Sequence, residues 1–218
     1  DTLGEYIFEA SSVTTWNNKF YVIADSSWNI FELDQALPPF SEKNWVYSPF
    51  ANRTEEEGES GYEAIFHIDE SLFAVVRESI LQDNNDGEKE YRAVVEEVKI
   101  NFDHGYYDII RQCATEKVFE GDSKGFEGAI HARDMDGTLY VIGLCEGNYC
   151  KEGLPGMDPG HGMLVVMKRE DYSDGSCLWR TVREMPIPEM AFFRDYSAIT
   201  MNRARSKVAI ASQEDSAV

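Results

Sequence analysis

A pair of short β-type segments recurs four times along the chain, and this recurrence narrows the possible folds more than any other feature. The first member of each pair reads Ser12-Val13-Thr14, Gly61-Tyr-Glu-Ala-Ile65, Gly125-Phe-Glu-Gly-Ala-Ile130 and Asp195-Tyr-Ser-Ala-Ile199. The second reads Phe20-Tyr-Val-Ile-Ala-Asp25, Phe73-Ala-Val-Val-Arg-Glu78, Tyr140-Val-Ile-Gly-Leu-Cys-Glu146 and Val208-Ala-Ile-Ala-Ser-Gln-Glu214. Each second segment ends in an acid. The copies begin roughly 50 to 70 residues apart, with the variation falling in loops. In the third copy Asp136-Gly137 supplies a tight turn between the two strands.

Two further strands follow in the first three copies. Asn29 to Asp34 alternates apolar and polar residues, and Asn44 to Pro49 suits an edge strand that tolerates proline. Glu90 to Ile100 and Tyr106 to Cys113 are rich in β-branched and aromatic residues, which favours strand over helix there. Met163 to Lys168 and Leu178 to Met185 complete the third copy. Four strands per copy is the make-up of a β-propeller blade. The expected fold is therefore an all-β chain of about three and a half blades, spanning about 6–60, 61–120, 121–190 and 191–218 as a single propeller segment. A β-sandwich would supply similar strands without accounting for the recurring signature. Because propellers close with about four to eight blades, a partner or further chain is expected to complete the ring after Val218.

The charge balance excludes several partners. Forty Asp and Glu face twenty Lys and Arg, a formal charge of −20. A polyanion or an anionic membrane surface would be repelled, so nucleic acid is not an expected ligand. Cations and basic partners are favoured. No apolar run is long enough to span a bilayer as a helix.

The four cysteines allow three pairings. Cys145 and Cys150 close a short loop containing Gly147, which suits a disulfide, and Cys113 with Cys177 is the preferred second pair. Zinc-type spacing is absent. Asn52-Arg-Thr54 is a glycosylation sequon. The even cysteine count, the sequon and a start at Asp1 without Met lead to the expectation of a secreted, extracytoplasmic chain.

Gly125-Phe-Glu-Gly-Ala-Ile130, followed by Gly137-Thr-Leu-Tyr-Val-Ile142, resembles a signature of the esterase-like phytase family of β-propellers. Leu144 to Cys150, Pro159-Gly-His-Gly-Met163, Phe193 to Ile199 and Val208 to Val218 are similar to uncharacterised secreted members of that family. The match covers the second half of the chain directly and the first half through the repeat. What the resemblance implies is a propeller fold, and calcium ions held by acids at the mouth of its channel.

The repeat places acids in matching positions. Asp25, Glu78, Glu146 and Glu214 end second strands at one common rim, and Glu63 and Glu127 sit on first strands. Carboxylates sharing a small volume must protonate, pair with arginine or bind a cation, and Ca2+ suits such a set. Pairing with Arg77, Arg133 or Arg194 is the competing reading. His161, in a Gly-rich loop, is the candidate ligand-binding residue or general base. His67 and His131 read as core histidines. Asp83 to Gly87 begins like a calcium-binding EF-hand loop but has Val94 where the twelfth-position glutamate belongs, so it reads as a turn. Serine-esterase, phosphate-loop and dinucleotide motifs are absent. The expected function is a binding or assembly module that takes calcium. A calcium-dependent phosphoesterase and a structural subunit of an extracellular filament or large complex are the alternatives.

Overall fold

The computed structural model describes residues 10–37, 42–51, 58–83, 87–122 and 124–218. The chain is all-β over these residues. The first four strands, β1 (Ala10–Trp16), β2 (Lys19–Ala24), β3 (Ser27–Asp34) and β4 (Trp45–Pro49), form an antiparallel meander. A second meander holds β5 (Tyr62–Asp69), β6 (Leu72–Asp83), β7 (Lys89–Asn101) and β8 (Tyr106–Phe119). A third holds β9 (Phe126–Arg133), β10 (Leu139–Cys145), β11 (Met163–Asp171) and β12 (Cys177–Pro186). Last come β13 (Ala198–Met201) and β14 (Val208–Ala211), paired with each other. The segments at 90–100 and 106–113 are strands, as their β-branched content dictates.

The meanders are not separate sheets. The final strands of the first three meet in short parallel pairings, Ser48 and Pro49 with Tyr106 and Tyr107, then Ala114 and Thr115 with Leu178 and Trp179. Hydrogen bonding therefore runs along a curved mixed path from β1 through β4, β8 and β12 back to β9. The Cys113–Cys177 disulfide lies beside the second pairing and bolts β8 to β12. Both preferred cysteine pairs are formed, the second being Cys145–Cys150.

Strand alternation explains how the meanders stack. On β6, Phe73 and Val75 point into one core, with Tyr21, Ile30, Tyr62 and Val98, between the first and second meanders. Ala74 and Val76 point the other way, into a core with Phe126, Val141 and Trp179 between the second and third. A smaller core of Leu144, Ile187 and Tyr196 joins the third meander to β13 and β14. A strand buried on both faces must read as a continuous apolar run, and Phe73-Ala-Val-Val76 does so.

Two buried polar networks sit within these cores. Tyr21 and Tyr47 both donate to Glu32 Oε2, at 3.0 and 2.7 Å. Tyr62 donates to Glu96 Oε2 at 2.9 Å, and Arg77 reaches Glu96 Oε1 at 3.4 Å. Buried carboxylates are tolerable only with such partners. No helix among the described residues is long and apolar enough to cross a membrane. Asn52 of the sequon, and residues 84–86 of the Asp83 to Gly87 turn, lie outside the described residues.

Candidate functional site

The opening strands of the meanders, β1, β5, β9 and β13, lie side by side in that order. At their N-terminal ends backbone hydrogen bonds link successive meanders: Gly61 N–H donates to Asp25 O at 2.8 Å and Tyr196 N–H to Glu146 O at 2.9 Å. Within the second meander Glu78 N–H donates to Gly61 O at 2.7 Å. Gly61 takes φ +61°, which glycine adopts without strain. Gly125 packs on the backbone at Glu78: a Cβ there would stand 3.4 Å from Glu78 Cα and Ser79 N. The glycines heading the repeated motifs thus let neighbouring backbones approach, and the approach brings the acids together.

Asp25, Glu63, Glu78, Glu127 and Glu146 form one electrostatically coupled group. Burial, then Glu127, Glu78, Asp25 and Glu146 in turn, pushes the Glu63 carboxyl up to about 9. Burial, Glu146 and Glu78 push Glu127 up to about 8, against the opposing pull of Lys124. Glu78 is raised as well, chiefly by burial and then by Glu146 and Asp25. Glu63 is only 8% exposed and makes no hydrogen bond or ion pair among the described residues. Asp25 Oδ1 and Glu146 Oε2 are buried without a hydrogen-bond partner among those residues.

One cation reaches into this group. Lys124 Nζ lies 2.5 Å from Glu146 Oε1. Lys124 directly precedes the Gly125 motif, a position that the strand pattern does not mark as functional. The arginines that could have neutralised the acids are engaged elsewhere. Arg77 pairs with Glu96, donates to Ser60 O and lies over the Trp28 ring. Arg194 pairs with Asp215 and Glu214. Arg133 donates to Gly137 O.

Glu214 is not brought to the other acids. The chain turns after β14, closed by the Ser212–Ala217 bridge, and carries Glu214 to within 3.8 Å of Arg194. Asp195 acts on Glu127 in its place, and it also accepts from Ser212 Oγ and from the backbone of Gln213 and Glu214. His161 does not belong to the group either. Its ring stacks on Tyr149 at 4.3 Å, and its Nε2 lies 3.6 Å from Asp158 Oδ2 in the loop after β10. A cavity of about 460 Å³ opens beside Glu127, with Ser11, Ser12 and Thr200 as the other polar side chains in a mostly apolar wall of β1, β9, β13 and β14 residues and Val218.

Carboxylate oxygens are the donors a hard divalent cation prefers. The buried, unbonded oxygens of Asp25 and Glu146 suit such a guest. As they stand, no three Asp, Glu, His or Cys side chains among the described residues are close enough to form a ready metal group. The arrangement holds protons, and a cation would have to displace them. The chain matches no protein-family model, and no curated protein is significantly similar to it.

Proposed function

We propose that the chain is a segment of an extracytoplasmic β-propeller whose acid-lined axial mouth binds a hard divalent cation, Ca2+ foremost, and that it works as a binding or assembly module. The observation that carries this reading is the convergence of Asp25, Glu63, Glu78, Glu127 and Glu146 from three successive meanders on one end of the inner strands, with Lys124 as the cation reaching them. In support, the strands of each meander pair in chain order and the opening strands lie side by side, as successive blades would have them. The two disulfides suit an oxidising compartment.

In this reading β14, which pairs only with β13 among the described residues, offers its other edge to a partner or to further chain that continues the ring. Cation binding would ionise Glu63 and Glu127 and draw them toward Asp25 and Glu146. Calcium titration followed by thermal denaturation tests it. A ligand of the folded state raises the melting temperature by mass action. The expected result is a rise with millimolar Ca2+ that a Glu63→Gln/Glu127→Gln variant loses. No rise in the parent protein removes the cation from the proposal.

The phosphoesterase reading has less support. Phosphate-ester chemistry at a metal centre needs cationic side chains around the metal to hold the anionic substrate. Here Lys124 is the cation among the coupled groups, and it is already paired with Glu146.

A further inference from the structure

The opposite end of the same four strands has the reverse chemistry. Glu63 and His67 lie four residues apart on β5, as do Glu127 and His131 on β9. Both glutamates sit at β-bulges, where the register shifts between Tyr62 and Ala64 and between Gly128 and Phe126, and the histidines lie about 13 Å further along the strands. The C-terminal ends of β1, β5, β9 and β13 enclose a second cavity, of about 430 Å³. His67, His131, Arg203, Arg205, Thr14 and Thr200 are in its wall, and no Asp or Glu is. In a chain with forty acidic residues and twenty basic ones, that exclusion is a selective arrangement.

The arginines in this wall, Arg203 and Arg205, form no ion pair among the described residues. His131 stacks on Phe66, with ring centroids 5.4 Å apart, and neither of its ring nitrogens has a hydrogen-bond partner among those residues. His67 is held in place. Its Nε2 lies 2.9 Å from Glu70 O, which can only accept, and its ring stacks on Trp16 at 5.1 Å. The nearby charges acting on His131 are Arg205, Arg133 and His67, all of them cationic or able to become so.

We infer that this cavity is a binding site for the oxyanion group of a small molecule, a phosphate or a carboxylate, held by Arg203, Arg205 and His131 at the mouth opposite the acids. Arginine guanidinium groups present planar forks of N–H donors that match two oxygens of such a group. The hydroxyls of Thr14 and Thr200 in the same wall supply neutral donors. The volume exceeds that of a bare ion, so the anion arrives attached to a larger body.

Titration calorimetry with inorganic phosphate, and separately with acetate, tests the site. Arg203 and Arg205 lie on an exposed turn, so their removal spares the cores. Arg205 sits at φ 53°, a conformation that asparagine accepts, so the test variant is Arg203→Gln/Arg205→Asn. The expected result is saturable binding of at least one anion, weakened about tenfold or more in that variant, in line with the loss of charge-assisted hydrogen bonds. Binding should be unchanged in Glu63→Gln/Glu127→Gln, and the His131 C2 proton should shift on titration. Three results would overturn the inference: no saturable binding of either anion in the millimolar range, binding unchanged in the arginine variant, or binding lost equally in the glutamine variant. Because the cation response belongs to the other mouth, it is measured in the same variants and fails or survives separately.

Discussion

The two ends of the inner strands handle like charge in opposite ways. At the acid end Glu63 is buried and the other carboxyl groups are half-buried, backbone bonds close the rim, and Lys124 pairs with Glu146; Glu63 and Glu127 respond by keeping their protons. At the basic end the arginines ride on an exposed turn, where water screens them, and it is the partly buried His131 that gives up its charge. Burial therefore decides which carboxyl groups change ionisation on the alkaline side of neutrality, and these are Glu63 and Glu127. A ligand at the acid end must compete with protons, while one at the basic end meets charges already in place.

The largest effect expected from this contrast is the pH dependence of stability. Glu63 and Glu127 titrate near 9 and near 8 in the folded chain, against 4.5 as the ordinary value. The unfolded chain releases these protons at about pH 4.5 and the folded chain retains them. Their contribution is full below the unfolded value and is lost as pH rises toward 8 and 9. Holding a carboxyl one pH unit above its ordinary value corresponds to about 1.4 kcal/mol before allowance for the interaction between the two groups, so the loss is on the order of several kcal/mol. Scanning calorimetry in the absence of divalent cations should show the melting temperature falling by on the order of 10 °C between pH 5 and pH 9. Glu63→Gln/Glu127→Gln should flatten the curve and melt above the parent at pH 9. Parallel curves for parent and variant would break the contrast, because the protons would then reside elsewhere.

What the sequence reveals follows from what is local. Alternation and β-branched content locate the strands, and the repeat lines up Glu63 with Glu127 and Asp25 with Glu78 and Glu146. Cys145 and Cys150 are close in sequence, which makes their pairing readable and leaves Cys113 with Cys177. Lys124 is not readable, because a lysine before a strand carries no mark of the carboxylate it will meet. The exchange of Glu214 for Asp195 depends on the turn after β14, which the motif alignment ignores. The histidines carry a signal that reading them one at a time misses: Glu-x-x-x-His occurs at Glu63–His67 and again at Glu127–His131. Taken singly, each histidine suits a core. Only the side-by-side run of the inner strands puts the two at one mouth with the arginines of a distant turn.

A smaller effect is expected from the lysine at the acid end. Lys124 lowers the carboxyls of Glu127 and Glu78 and pairs with Glu146, with both partners 28% exposed. Lys124→Gln should cost about 1 kcal/mol at pH 8, the upper range for a pair still partly in water. It should also move proton release from Glu127 to higher pH, which carries the fall in stability further into the alkaline range. Chemical denaturation at several pH values reads both. A variant that loses stability equally at pH 5 and pH 8 would mean that Lys124 acts by packing alone.

The smallest effect belongs to the basic end. His131 is lowered to about 4, first by burial and then by Arg205, Arg133 and His67. Since its folded value is depressed below the ordinary 6.5, its contribution is present above that value and is lost as pH falls through 4, the reverse of the acid end. Arg205→Asn removes the largest charge acting on it and leaves burial in place. Stability at pH 7 should scarcely change, because the arginine is exposed and His131 is neutral there with or without it. The His131 titration, followed by its C2 proton, should move up by a fraction of a unit, and the acid-side loss of stability should be smaller and level off at slightly higher pH. A titration that stays put would mean that burial alone sets the histidine's charge. The arginine turn would then be electrically separate from the inner strands, and the two mouths would differ in exposure but not in the sign of the field that the strands between them feel.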